Sequence, residues 1–294
     1  MASKRNKRLK LFKLGADAIS KYTGGDVSLY YCPICREGFS ENEIEPDGLL
    51  SLEDVPPKSL GGKPLLLTCK KCNGAAGKTS DFEAYKRKHL DNFKNFILGK
   101  SGTDLIGGVN LEIPGCQLRA ELTRSNGVTI FRAYKGANSD ETIEQFKRVF
   151  PKQKQFNLKK TFKINPQIAS ISDLKTAFLL ITAWLGYRYA FDPRLEMVRG
   201  QIREPKEEIL GPKFLLSPEG GEDVPAKLIV AIKDPLPCFI VTFTGRAVIL
   251  PTLDSPVNFY EELSKKWEHP GRKTITGRKY PWPDQACFYY DLVE

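Results

Sequence analysis

The chain has 294 residues, 41% hydrophobic and 27% charged, which allows two domains with real cores and excludes global disorder. Lys and Arg number 45 against 35 Asp and Glu, a net charge of +10 that suits a polyanionic partner, most often nucleic acid. No apolar run reaches about 18 residues, so no membrane span is expected, and seven cysteines, an odd number, do not make a disulfide framework.

In chain order, residues 1–27 read as a basic arm. Six of the first thirteen residues are Lys or Arg, resting on phosphates or simply solvated, and there is no apolar centre of the kind a signal peptide has. Gly24-Gly25 breaks any helix. Cys32-Pro33-Ile34-Cys35 is a first C-x-x-C knuckle. Leu49 to Glu53 reads as a strand stopped by Val55-Pro56-Pro57, because proline removes ladder donors. Gly61-Gly62 and Pro64 mark a tight loop, and Leu65 to Thr68 the returning strand. The second knuckle, Cys69-Lys70-Lys71-Cys72, then opens a helix carrying Asp81, Tyr85 and His89. Four thiolates in two close pairs complete a tetrahedral zinc shell with no open position, so the predicted zinc is structural. Paired knuckles with isolated Cys116, Cys238 and Cys287 fit a reducing cytoplasm, with the isolated three as core residues. Chemistry would then come from residues the zinc holds, above all Glu53, Asp54 and Asn73.

Between residues 28 and 90 the order Glu53-Asp54-Val55-Pro56-Pro57-Lys58-Ser59-Leu60-Gly61-Gly62, followed by Cys69-Lys70-Lys71-Cys72-Asn73, resembles the HNH (ββα-metal) endonucleases. The likeness is to bacterial members with a zinc-stabilised C-x-x-C frame. It implies a ββα domain over residues 28–98 and hydrolysis of DNA or RNA phosphodiesters. It also implies a prokaryotic or phage protein in defence or mobile-element traffic. By this resemblance Glu53 would ligand a divalent metal, magnesium or manganese, Asn73 would orient the base or ligand that metal, and Asp81, or more weakly His89, would complete the site. Lys58, Lys63, Lys70, Lys71 and Arg87 would hold the nucleic-acid backbone, with DNA the expected partner.

One position departs from the family. Where its general-base histidine stands, this chain has Asp54. Free aspartate titrates near 3.9 and histidine near 6.5, so Asp54 is the weaker base by a few pKa units. Either metal-bound water needs less base strength, or the unit is a degenerate module that binds nucleic acid or a protein without cutting. Asp54 also fits a loop residue capping amides, and Asn73 a helix cap.

Residues 91–110, centred on 99–108, read as a glycine-interrupted linker, and 109–294 as a mixed C-terminal domain. Val109 to Ile113, Gln117 to Leu122 and Val128 to Phe131 read as strands with Ser125-Asn126-Gly127 as a hairpin turn. Ser139 caps a helix to Phe150, and Phe156 to Ile164 is a further strand. Ser172-Asp173 opens a core helix, followed by a second near Met197 to Ile202. Lys227 to Ile232, Phe239 to Thr244 and Ala247 to Leu250 are strands, Asn258 to Trp267 a helix, and the aromatic tail packs. The fold class expected is α+β.

Overall fold

A computed structural model of the chain describes residues 2–99, 105–125, 128–134, 136–153, 155–216, 227–231, 236–243, 245–267 and 275–288. The basic N-terminus is a helix, α1 (Ala2–Thr23), in place of the expected arm. Leu11, Phe12, Ala18 and Ile19 recur at helical spacing and are buried, whereas Lys4, Lys7, Lys10 and Lys13 are exposed. Reading the segment by charge alone overlooked this apolar stripe. Gly24, at φ 72°, ends the helix as expected, its N–H bonded to Ser20 O at 2.9 Å.

The two-residue strands β1 (Tyr30–Tyr31) and β2 (Gly38–Phe39) flank the first knuckle, and β3 (Leu50–Val55) and β4 (Lys63–Cys69) form the expected hairpin. Two helices follow where one was expected, α2 (Lys70–Lys78) and α3 (Ser80–Ile97), because Thr79 leaves helical geometry at φ −123°, ψ −94°. Next come β5 (Leu105–Ile113), β6 (Cys116–Ser125), β7 (Val128–Ala133), α4 (Asp140–Val149) and β8 (Asn157–Lys159). The chain continues through α5 (Pro166–Leu185), α6 (Tyr187–Ala190), α7 (Glu196–Arg203) and β9 (Leu215–Leu216). It closes with β10 (Lys227–Ala231), β11 (Cys238–Phe243), β12 (Arg246–Pro251), α8 (Phe259–Lys266) and β13 (Gly277–Tyr280). The architecture is mixed α+β. Asn126, Gly127, Ile232 and Thr244, named in the turn and strand expectations, lie outside the described residues, as do Tyr289 and Tyr290 of the aromatic tail.

The chain divides into two compact units: residues 1–84 with 166–294, and residues 85–165. These boundaries are not the expected ones at 98 and 108. Residues 166–294 share a single core with the N-terminal 84, and the reason is α5. That helix is buried around its whole circumference, every residue from Ala169 to Ala183 being covered, so it needs partners on every side. α1, β3 and β4 pack in the same core as α5, together with the antiparallel sheet of order β13-β10-β11-β12-β9. By length and composition α5 could cross a membrane, an 18-residue window of it having a mean hydropathy of 1.4, but 89% of that window is buried in the fold. α5 also starts at Pro166, so Ser172 and Asp173 are buried helix interior, not its cap.

In the second unit an antiparallel sheet of order β7-β6-β5-β8 turns Val109, Leu111, Leu118, Ala120 and Leu122 inward. Phe93, Phe96 and the α4 residue Phe146 pack with them. Residues 91–97 are therefore helix, not linker; their phenylalanines needed a sheet to cover. Ser139 caps α4 as expected, accepting from Thr142 N at 3.1 Å. The strand expected over Phe156 to Ile164 is shorter, reduced to β8.

Candidate metal centre and buried charge cluster

The four knuckle cysteines come together. The Sγ atoms of Cys32, Cys35, Cys69 and Cys72 all lie within 4.8 Å of one another, and Cys35 and Cys69 are 3.7 Å apart. Sulfurs on a tetrahedral zinc stand roughly 3.8 Å apart, from Zn–S bonds of about 2.3 Å, so the cage has the size and chemistry of a structural zinc site. Burial pushes the Cys32 thiol up, while its hydrogen bond to Cys35 brings Cys35 down to about 6.

Local folding builds the cage. In the first knuckle Arg36 N–H bonds Cys32 O at 2.8 Å and Cys32 N–H bonds Glu37 O at 3.0 Å, a turn tight enough to hold Arg36 at φ 63°. In the second, Cys69 ends β4 and caps α2, its Sγ accepting from Cys72 N at 3.4 Å. Cys69 N–H in turn donates to Cys32 Sγ at 3.5 Å. Amides aimed at sulfur orient the ligands and stabilise their thiolate form. Buried tyrosines tie the knuckle strands down. Tyr30 Oη donates to Leu67 O at 2.8 Å, and Tyr187 Oη to Tyr31 O at 2.8 Å.

A second polar cluster lies on the same hairpin. Glu53 Oε1 accepts from Lys175 Nζ at 2.9 Å and Glu53 Oε2 from Thr68 Oγ1 at 2.7 Å. Asp81 Oδ2 accepts from Lys175 Nζ at 2.7 Å and Asp81 Oδ1 from Ser172 Oγ at 2.7 Å. All four carboxylate oxygens therefore have a donor. The side chains are only 3%, 1% and 10% exposed for Glu53, Lys175 and Asp81. Burial raises the Glu53 carboxyl, against the pull of Lys175 and the Thr68 hydrogen bond. Burial also works against the Lys175 ammonium, but Glu53 and Asp81 outweigh it and raise its pKa, so Lys175 is held protonated.

The other residues singled out in the sequence disperse. Asp54 follows Glu53 on β3 across a shift in the β3–β4 register, and is half-buried while Glu53 is buried. Asn73 on α2 spends its amide N–H on Ser51 Oγ at 3.1 Å and Leu52 O at 3.4 Å, bracing the helix against β3. Lys58, Lys63 and Lys71 are exposed around the hairpin; Lys70 is also exposed but donates to Pro46 O at 2.8 Å. Arg87 and His89 fall in the other unit, His89 edge-on to Tyr85 at 4.3 Å. Cys238 is buried as expected, but Cys116 and Cys287 are half-buried.

Lys175, Ser172 and Thr68 were missed. The signal was present for Lys175: the one lysine of a core helix must find carboxylates when it is buried. Comparison of the chain with protein-family models, with curated proteins and with solved structures finds no match in any of the three.

Proposed function

We propose that the β3–β4 hairpin and α2, framed by zinc on Cys32, Cys35, Cys69 and Cys72, are an HNH-like module that binds nucleic acid without hydrolysing it. The observation that carries this is Lys175. Its ammonium sits between Glu53 and Asp81, where a divalent ion would have to bind. A magnesium or manganese ion in that place would have to displace a buried, doubly paired cation and find water and phosphate in a nearly inaccessible cluster. The reading is also supported by Asp54, a carboxylate standing where the resembled family has its general-base histidine. The exposed lysines 58, 63 and 71 around the hairpin favour a polyanionic ligand. Zinc, with its shell closed by four sulfurs, would supply folding free energy and no reaction step.

The test is incubation of the purified chain with plasmid and single-stranded DNA in magnesium and in manganese, alongside binding measured by anisotropy. Binding without cleavage is expected. Cleavage that disappears in Glu53→Ala or Asp81→Ala would restore the metal-dependent nuclease.

A further inference from the structure

The net charge of the chain is concentrated in one of its two units. Residues 85–165 hold sixteen Lys and Arg against seven Asp and Glu, a surplus of nine out of the chain's ten. The zinc-framed unit is nearly neutral by the same count. A polyanion is therefore drawn to the unit that carries no cysteine cage.

That unit has a sheet with one face covered and one open. Val109, Leu111 and Ile113 of β5 face the core, while Asn110 on β5, Arg119 on β6, Arg132 on β7 and Lys159 on β8 are exposed. Strand register sets Asn110 opposite Arg119 on one side and Lys159 on the other, and Tyr134 N–H bonds Arg119 O at 3.1 Å. Tyr134, Arg119, Asn110 and Lys159 thus form one row across the open face. Tyr134 lies over the sheet: a Cβ built on Gly108 would meet its Oη at 3.4 Å, and the side chain remains 38% exposed. The two acids on this face are already answered, Glu112 by Lys159 at 2.7 Å and Glu121 by Arg132 at 3.9 Å. Arg119 has no ion-pair partner among the described residues.

We infer that the open face of the β7-β6-β5-β8 sheet binds single-stranded nucleic acid. Tyr134 offers a stacking surface for a base, Asn110 a polar contact to its edge, and Arg119 a cation for the backbone. A single strand is favoured because its unstacked bases expose the π-faces that an aromatic ring on a flat sheet can meet, whereas a duplex hides them. This inference takes its ligand class from the reading above but assigns the contact to different residues, so the two are separable.

The test is anisotropy of the full chain with fluorescein-labelled oligothymidylate and with a duplex of equal length, over a salt series. Tyr134→Ala should weaken single-strand binding about tenfold, the effect of losing one stacked base. Tyr134→Phe should restore it, because the ring and not the hydroxyl carries the contact. Arg119→Ala should lower the slope of log affinity against log salt by about one. Unchanged thermal melting of these surface variants separates lost contacts from lost folding. If Tyr134→Ala and Arg119→Ala bind as the unaltered chain does while Lys58→Ala with Lys71→Ala loses binding, the sheet assignment falls and nucleic-acid binding by the zinc-framed hairpin stands. Tighter binding of the duplex overturns the single-strand assignment. An unaltered chain that binds neither oligonucleotide overturns both readings.

Discussion

The balance at Lys175 shows why a buried ion cluster differs from the charge pairs at the surface. Exposed pairs such as Lys147–Glu144 at 2.7 Å are worth about 0–1 kcal/mol, since water already solvates both ions. Lys175 has surrendered its water, and so have Glu53 and Asp81. Lys175→Met would leave two buried carboxylates unanswered and is expected to cost about 3–5 kcal/mol near neutral pH. The loss should shrink as pH falls toward about 5, because burial already raises the Glu53 carboxyl and protonation would remove the uncompensated charge. Denaturant unfolding of both proteins at the two pH values checks this; an equal loss at each would contradict it. The raised pKa of Lys175 works at the alkaline end. Its contribution is fully present below the ordinary value of 10.5 and is lost as pH rises through the higher folded-state value.

The knuckle elements depend on their sulfurs twice over. Cys69 is both a cage member and the cap of α2, and its amide supports Cys32. Without a metal, four sulfurs within 4.8 Å would include repelling thiolates. Metal analysis should therefore find one zinc per chain, and chelation should lower the melting temperature, since structural zinc contributes on the order of 10 kcal/mol. Cys69→Ser should lose zinc and helix signal together. A chain that melts identically with and without chelator would argue against a structural ion. The loop between β3 and β4 has a different constraint: a Cβ on Gly62 would run into Pro56 O, so backbone and backbone pack where only glycine fits. That constraint was readable from the Gly61-Gly62 pair, because loops this tight need glycine. The break at Thr79 was not readable, because nothing in the local spacing separates α2 from α3.

At the scale of the whole molecule, α1 tests whether the N-terminus belongs to the core. Leu11, Phe12 and Ile19 together bury side chains worth roughly 5–9 kcal/mol of transfer free energy. Whole domains are stable by only about 5–15 kcal/mol. Gly15 also lets α1 approach so closely that a Cβ there would collide with the Tyr30 ring next to the first knuckle. Deleting residues 1–23 should therefore unfold the zinc-framed unit and release zinc, read by circular dichroism and a zinc indicator. Retention of a cooperative melt with zinc bound would show that α1 is dispensable after all.

The sequence by itself determined the local grammar: knuckles at metal-ligand spacing, a hairpin bounded by proline and glycine, a capped α4, and an apolar α5. Those signals are short-range, written in turn chemistry and periodicity. Only the tertiary structure decided that α1 is core, that residues 166–294 fold with the N-terminal segment, and that Glu53 and Asp81 meet Lys175. A buried charge takes its meaning from its partner. Here the partner of Glu53 lies 122 residues further along the chain, a separation no local pattern spans.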